Sequence, residues 1–218
     1  MENHFEAGLE NLRQKLLLMA SRAETAVNEA VQSLMQRDHD LAVKVRADDD
    51  IIDQFEVEID EMAILLLTKA PLATNLRLVT VAMKISQNLE RIGDEATKIA
   101  KRARDLSQEP PVKIALDLPH MANLALAMVK DALDAFVHRD AAAARALIPR
   151  DKEVDALNKL AHHQLAEYMM ANPETIARCL HWIVAAKSLE RIADHAKNIA
   201  EEVVYLCDAQ DIRHTLKN

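Results

Sequence analysis

The chain has 218 residues, half of them apolar, a formal net charge of −8, only 2 glycines and 3% aromatic side chains. Such a chain can bury a large core, and the scarcity of glycine leaves long stretches free to be helical. The acidic balance excludes a nucleic-acid binder, which needs a basic face to neutralise phosphates, and no apolar run approaches the roughly 18 residues that a membrane span requires.

The first predicted helix runs from about residue 5 to 37, with Leu9, Leu12, Leu16, Met19, Ala23, Val27, Ala30 and Leu34 at three-four spacing. Arg37-Asp38-His39-Asp40 is short and polar, and either Asp can cap the second helix. That helix, reaching about Lys69, has Val45, Ile52, Phe55, Ile59, Met62 and Leu66 as its seam. Pro71 ends it, and Thr74 or Asn75 can cap the third, whose stripe is Leu78, Ala82, Ile85, Leu89, Ile92, Ala96 and Ile99.

Ser107-Gln108-Glu109-Pro110-Pro111 reads as a linker. The fourth helix starts between Val112 and His120, because Pro119 is tolerated only in a first turn. It ends near Arg139-Asp140, an echo of Arg37-Asp38 at an offset of 102. The fifth reaches about Ala171 with a kink at Pro149 that the first half lacks. Asn172-Pro173-Glu174 then turns the chain into a sixth helix carrying Trp182, Ala185, Leu189, Ile192, Ala196, Ile199 and Val203. The tail from Asp208 is short and polar. The expected fold class is all-α: two pseudosymmetric antiparallel three-helix bundles, residues 1–108 and 109–218, related by internal duplication.

That duplication is most visible in Leu89-Glu90-Arg91-Ile92-Gly93-Asp94, which recurs one hundred residues later as Leu189-Glu190-Arg191-Ile192-Ala193-Asp194. Each copy holds two acids four apart, on one helix face. Two more pairs, Asp49/Asp53 and Asp151/Asp155, lie upstream. In an antiparallel hairpin, residues equidistant from the turn sit level. Asp53 with Glu90 and Asp49 with Asp94 are both centred on 71.5, at Pro71; Asp155 with Glu190 and Asp151 with Asp194 are both centred on 172.5, at Asn172-Pro173. Glu90 and Asp94 point roughly 120° from their apolar stripe and Asp49 and Asp53 roughly 100° from theirs, in the same sense. Each quartet should therefore emerge on one wet outer flank.

Four carboxylates at one level repel, so a counter-charge is needed. Solvated surface acids helped by Lys98 and Lys197 are one reading; Arg91 and Arg191 do not share the acids' face. The duplicated placement favours the other, a cation site with all-oxygen ligands suited to Mg, Mn or Ca, with iron and zinc feasible on bridging carboxylates.

The doubled Leu-Glu-Arg-Ile stretch, the Asp-x-x-x-Asp segments and the Gln210-Asp211-Ile212-Arg213-His214 tail resemble the PhoU family over essentially the whole chain. The resemblance implies metal ions (iron, zinc, magnesium or manganese) on Asp49, Asp53, Glu90 and Asp94, and on Asp151, Asp155, Glu190 and Asp194. It implies a cytoplasmic, non-enzymatic negative regulator of phosphate uptake. Its partners would be the ATPase of a phosphate importer and the phosphate sensor histidine kinase, with self-association as a homodimer and no membrane insertion. Two departures bear on the second site: Pro149 just ahead of Asp151 threatens to displace that ligand, and His195 stands where the first copy has Glu95, as a surface histidine or an added ligand.

A ferritin-like di-metal oxidase is the enzymatic rival, but it needs Glu-x-x-His pairs, and the sequence has none. His162-His163 cannot share a helix face and reads as one half-buried and one exposed imidazole. No glycine-rich loop follows a strand, so neither a nucleotide site nor an anion cradle is expected. Cys179 and Cys207 are expected as reduced, inert thiols, Trp182 as core, and the nine Met as core filler. A metal-free helical adaptor predicts the same fold.

Overall fold

The computed structural model describes residues 2–69 and 73–213, and within them every regular element is helical. α1 (Glu2–Gln36) forms because its apolar residues fall on one stripe: Leu12, Leu16, Met19, Ala23, Val27, Ala30 and Leu34 are all buried. Arg37 then adopts a left-handed backbone (φ 58°), and Asp38 caps α2 (His39–Ala47) by accepting a hydrogen bond from Leu41 N at 2.9 Å. The second half repeats this turn. Arg139 (φ 53°) follows α5 (Leu118–His138), and Asp140 caps α6 (Ala141–Leu147) through Ala143 N at 2.9 Å.

The long second helix predicted for the first half is in fact two, α2 and α3 (Asp49–Leu67), joined at Asp48 with ψ −7°. The break has no proline, and the Asp48 side chain caps neither helix but faces Lys44 at 3.7 Å. The second half breaks at the matching place, with a 3-10 turn over Ile148–Arg150 holding Pro149 before α7 (Asp151–Ala171). The kink is thus common to both halves. Pro71 lies outside the described residues. α4 (Ala73–Ser107) already contains Thr74 and Asn75, so neither is its cap. Asp117 caps α5 by accepting from His120 N at 3.2 Å, with Pro119 in the first turn as expected.

α4 and α8 (Ile176–Asp208) form the spine. They run antiparallel, with Lys84 bonded to Glu202 at one end and Arg191 to Glu95 further along. α1 and α3 pack on α4, α5 and α7 pack on α8, and one continuous apolar core joins the halves. The expected stripe of α4 is buried throughout, and Trp182 is only partly buried against the core. Of the expected linker, residues 108–111 are exposed, and beyond them Leu116 packs into the core. The tail also packs back: Ile212 is buried and Arg213 Nη1 lies 3.3 Å from Glu202 Oε1, while His214 is outside the described residues. Both cysteines are free thiols, Cys179 buried and Cys207 half-buried.

Candidate metal centre

Close approach of α3 to α4 positions the first acids. Gly93 permits it: a Cβ there would stand 2.8 Å from Ile52 Cδ1 and 3.5 Å from Asp49 Oδ1. With no side chain at 93, the N-terminal end of α3 lies against the turn of α4 that carries Glu90 and Asp94. The four acids lie near enough for their charges to act on one another. Asp49 feels the charges of Asp53 and Asp94, and Glu90 those of Asp94 and Asp53. The flank is wet as expected, with Asp53 and Asp94 exposed and Asp49 and Glu90 half-buried.

Burial, then the Asp94, Glu56 and Asp53 charges, push the Glu90 carboxyl up to about 7. Burial also raises Asp49, against a hydrogen bond from the Thr97 hydroxyl. Among the described residues no ion pair reaches Asp49, Asp53 or Glu90; Asp94 has only Lys98, at 3.8 Å, and Lys98 is closer to Glu95 (2.9 Å). Arg91, expected to point elsewhere, is near enough to draw Glu90 down a little. Glu56 belongs to this group and was missed. It lies three residues beyond Asp53, on the same face of α3, and that spacing was its signal.

The second quartet also gathers. Asp155 feels Glu190 and Asp151, and Asp194 feels Glu190, Asp155 and Asp151; burial is the first cause of the upward shift in both. Pro149 does not displace Asp151, which is buried and within reach of its partners. What differs is the counter-charge. Lys197 Nζ lies 2.5 Å from Asp151 Oδ2, and Lys187 Nζ lies 2.5 Å from Glu190 Oε2.

The two groups differ as metal ligands. Among the described residues no three His, Cys, Asp or Glu side chains converge closely enough to hold an ion as they stand. In the first group, hard oxygen donors, three of the four without an ion pair among the described residues, fit a cation, since drawing the side chains together around it relieves their repulsion. In the second group ammonium groups already stand at two of the four carboxylates.

His195 takes part in neither. It is half-buried in the α4/α8 seam, its Nδ1 3.1 Å from Asn88 Oδ1; burial, then the Arg91 charge, lowers its pKa. It is therefore neither a plain surface histidine nor a ligand to the acids. Its counterpart Glu95 makes the mirrored contact to Ser188. Burial pushes the Glu95 carboxyl up, but hydrogen bonds from Lys98 and Ser188 and the charges of Lys98 and Arg191 hold it below its usual range. Between them runs a cleft of about 540 Å³ whose walls come in equivalent pairs: Arg91 and Arg191, Asp94 and Asp194, Glu95 and His195, Lys98 and Asn198. His162 is half-buried and His163 exposed, beside Glu167 at 3.3 Å.

A family model described as the PhoU domain matches residues 16–103 and again residues 118–203. The chain belongs to the PhoU family. Its relatives include the phosphate-specific transport system accessory protein PhoU homolog of Pseudomonas aeruginosa, 43% identical over 98% of this chain and 89% of the relative. The PhoU accessory protein of Escherichia coli K12 is 34% identical over 98% of this chain and 89% of its own length. Among solved structures, PhoU from Pseudomonas aeruginosa superposes with a TM-score of 0.90 at 43% identity, covering 94% of this chain and all of that one. The phosphate transport system regulatory protein PhoU from Streptococcus pneumoniae gives 0.86 at 27% identity, covering 95% and 98%. The two matched segments carry the two acid groups, so the duplication read from the sequence is a duplication of this family's domain.

Proposed function

We propose that this chain is a cytoplasmic accessory protein that restrains phosphate uptake, an adaptor between the ATPase of a phosphate importer and the phosphate sensor histidine kinase, working as a homodimer. One observation carries the reading: similarity to phosphate-transport accessory proteins extends along nearly the whole chain, through both copies of the domain. No helix among the described residues is long and apolar enough to cross a membrane, so the reading gives the contact with the importer to a surface. The chemistry it asks of this chain is docking and relay, with no catalytic step.

Within that role, Asp49, Asp53, Glu90 and Asp94 hold a hard cation. Bound there, the ion supplies positive charge that links α3 to α4. The residues themselves do the rest: Gly93 lets the helices approach, Thr97 orients Asp49, and the half-buried Glu90 holds a proton near neutrality that a cation would displace. What supports this is that, among the described residues, no ion pair reaches three of the four acids.

A pull-down with the full chain from cells grown in high and in low phosphate tests the adaptor; recovery of neither the importer ATPase nor a histidine kinase would refute it. Elemental analysis of protein purified without chelator, repeated on Asp49→Ala with Glu90→Ala, tests the cation. Metal content that is the same in both ends the assignment.

A further inference from the structure

The halves carry matching acids but different counter-charges. Aligned on the Leu-Glu-Arg-Ile repeat at an offset of 100, Gln87 matches Lys187 and Thr97 matches Lys197. In the second half both lysines are engaged: Lys197 donates from α8 across to Asp151, whose side chain is only 9% exposed, and Lys187 forms an ion pair with Glu190 Oε2 at 2.5 Å along its own helix, by proximity and not by a hydrogen bond. In the first half the equivalents are neutral. Thr97 offers Asp49 a hydroxyl, and Gln87 is exposed.

We propose that Lys187 and Lys197 are tethered cations standing in for a metal in the second half, so that only the first carboxylate quartet takes an ion from solution. This rests on the reading of the first quartet as a cation site. The physical reason is competition. A covalently held ammonium is already at the carboxylate and gives up less freedom than an ion captured from water. A divalent ion entering there would have to displace both lysines or accept their repulsion at contact distance. Lys197 stands among acids, in contact with Asp151 and close to the Asp194 and Glu201 charges. The two copies of the domain in this chain thus hold one open site and one self-neutralised one.

The test exchanges the counter-charges. Lys187→Gln with Lys197→Thr gives the second half the first half's residues; Gln87→Lys with Thr97→Lys does the reverse. Each full-length variant is stripped with chelator, checked for helicity by circular dichroism, titrated calorimetrically with Mn2+ and melted in chelator. Expected are one set of Mn2+ sites in the parent chain, a second set after removal of the lysines, and none after their introduction. In chelator, the added lysines raise the melting midpoint and the lost lysines lower it. Two equivalent sets in the parent chain, or no new set once the lysines are gone, would overturn the proposal. If the parent chain takes up no Mn2+, the cation reading of the first quartet fails by itself. The melts then still decide the lysines, because a midpoint that does not rise with the added pair refutes them as counter-ions.

Discussion

Glu90→Gln keeps the size of the side chain and removes one of the repelling charges of the first quartet. The Glu90 carboxyl is raised from 4.5 to about 7, with burial the first cause and the Asp94, Glu56 and Asp53 charges next. At about 1.4 kcal/mol per pH unit, that difference sets an upper bound of about 3.4 kcal/mol on what the ionised group costs the fold. Glu90 is half-exposed, and solvent screening reduces this to about 1–2 kcal/mol. The sign comes from proton uptake. Between pH 4.5 and about 7 the folded chain holds a proton that the unfolded chain has released, so stability falls as pH rises through that window. In chelator at pH 8, Glu90→Gln should therefore be more stable than the parent chain by about 1–2 kcal/mol, and at pH 4 the advantage should vanish. Urea denaturation followed by circular dichroism at the two pH values measures it. A variant that is less stable at pH 8, or an advantage that does not change with pH, would refute the picture of a crowded, uncompensated quartet.

Gly93→Ala places a methyl 2.8 Å from Ile52 Cδ1, and Ile52 is only 2% exposed, with little room to retreat. Overpacking of about 1–3 kcal/mol outweighs the roughly 1 kcal/mol gained in helix propensity, for a net loss of about 1 kcal/mol in urea denaturation; a stabilised variant would contradict the close approach. Arg139→Gly relieves a left-handed residue (φ 53°) and should gain about 0.5 kcal/mol once the greater freedom of unfolded glycine is subtracted. The same change at Arg37 gives no gain, because Arg37 also donates to the Ser107 and Glu109 carbonyls; equal melting shifts in the two variants would count against this difference.

Periodicity alone gave the helices and most of the core, because burying one stripe of a helix leaves little choice of partner face. That the acids of each half come near one another was also legible, since an antiparallel hairpin converts distance from the turn into height. The helix break at Asp48 was not: no proline marks it, and only the matching break before Asp151 shows it to be part of the design. His195 was misplaced because its position depends on how α8 crosses α4, a contact between halves that hairpin geometry does not describe.

The counter-charges divide the same way. Gln87 against Lys187 and Thr97 against Lys197 could be read from the repeat, since aligning the two copies is a matter of sequence alone. That Lys197 reaches the buried Asp151 on another helix, while Lys98 turns from Asp94 toward Glu95, only the tertiary structure decides. A long flexible side chain has several carboxylates within range, and the packing of neighbouring helices determines which of them it meets.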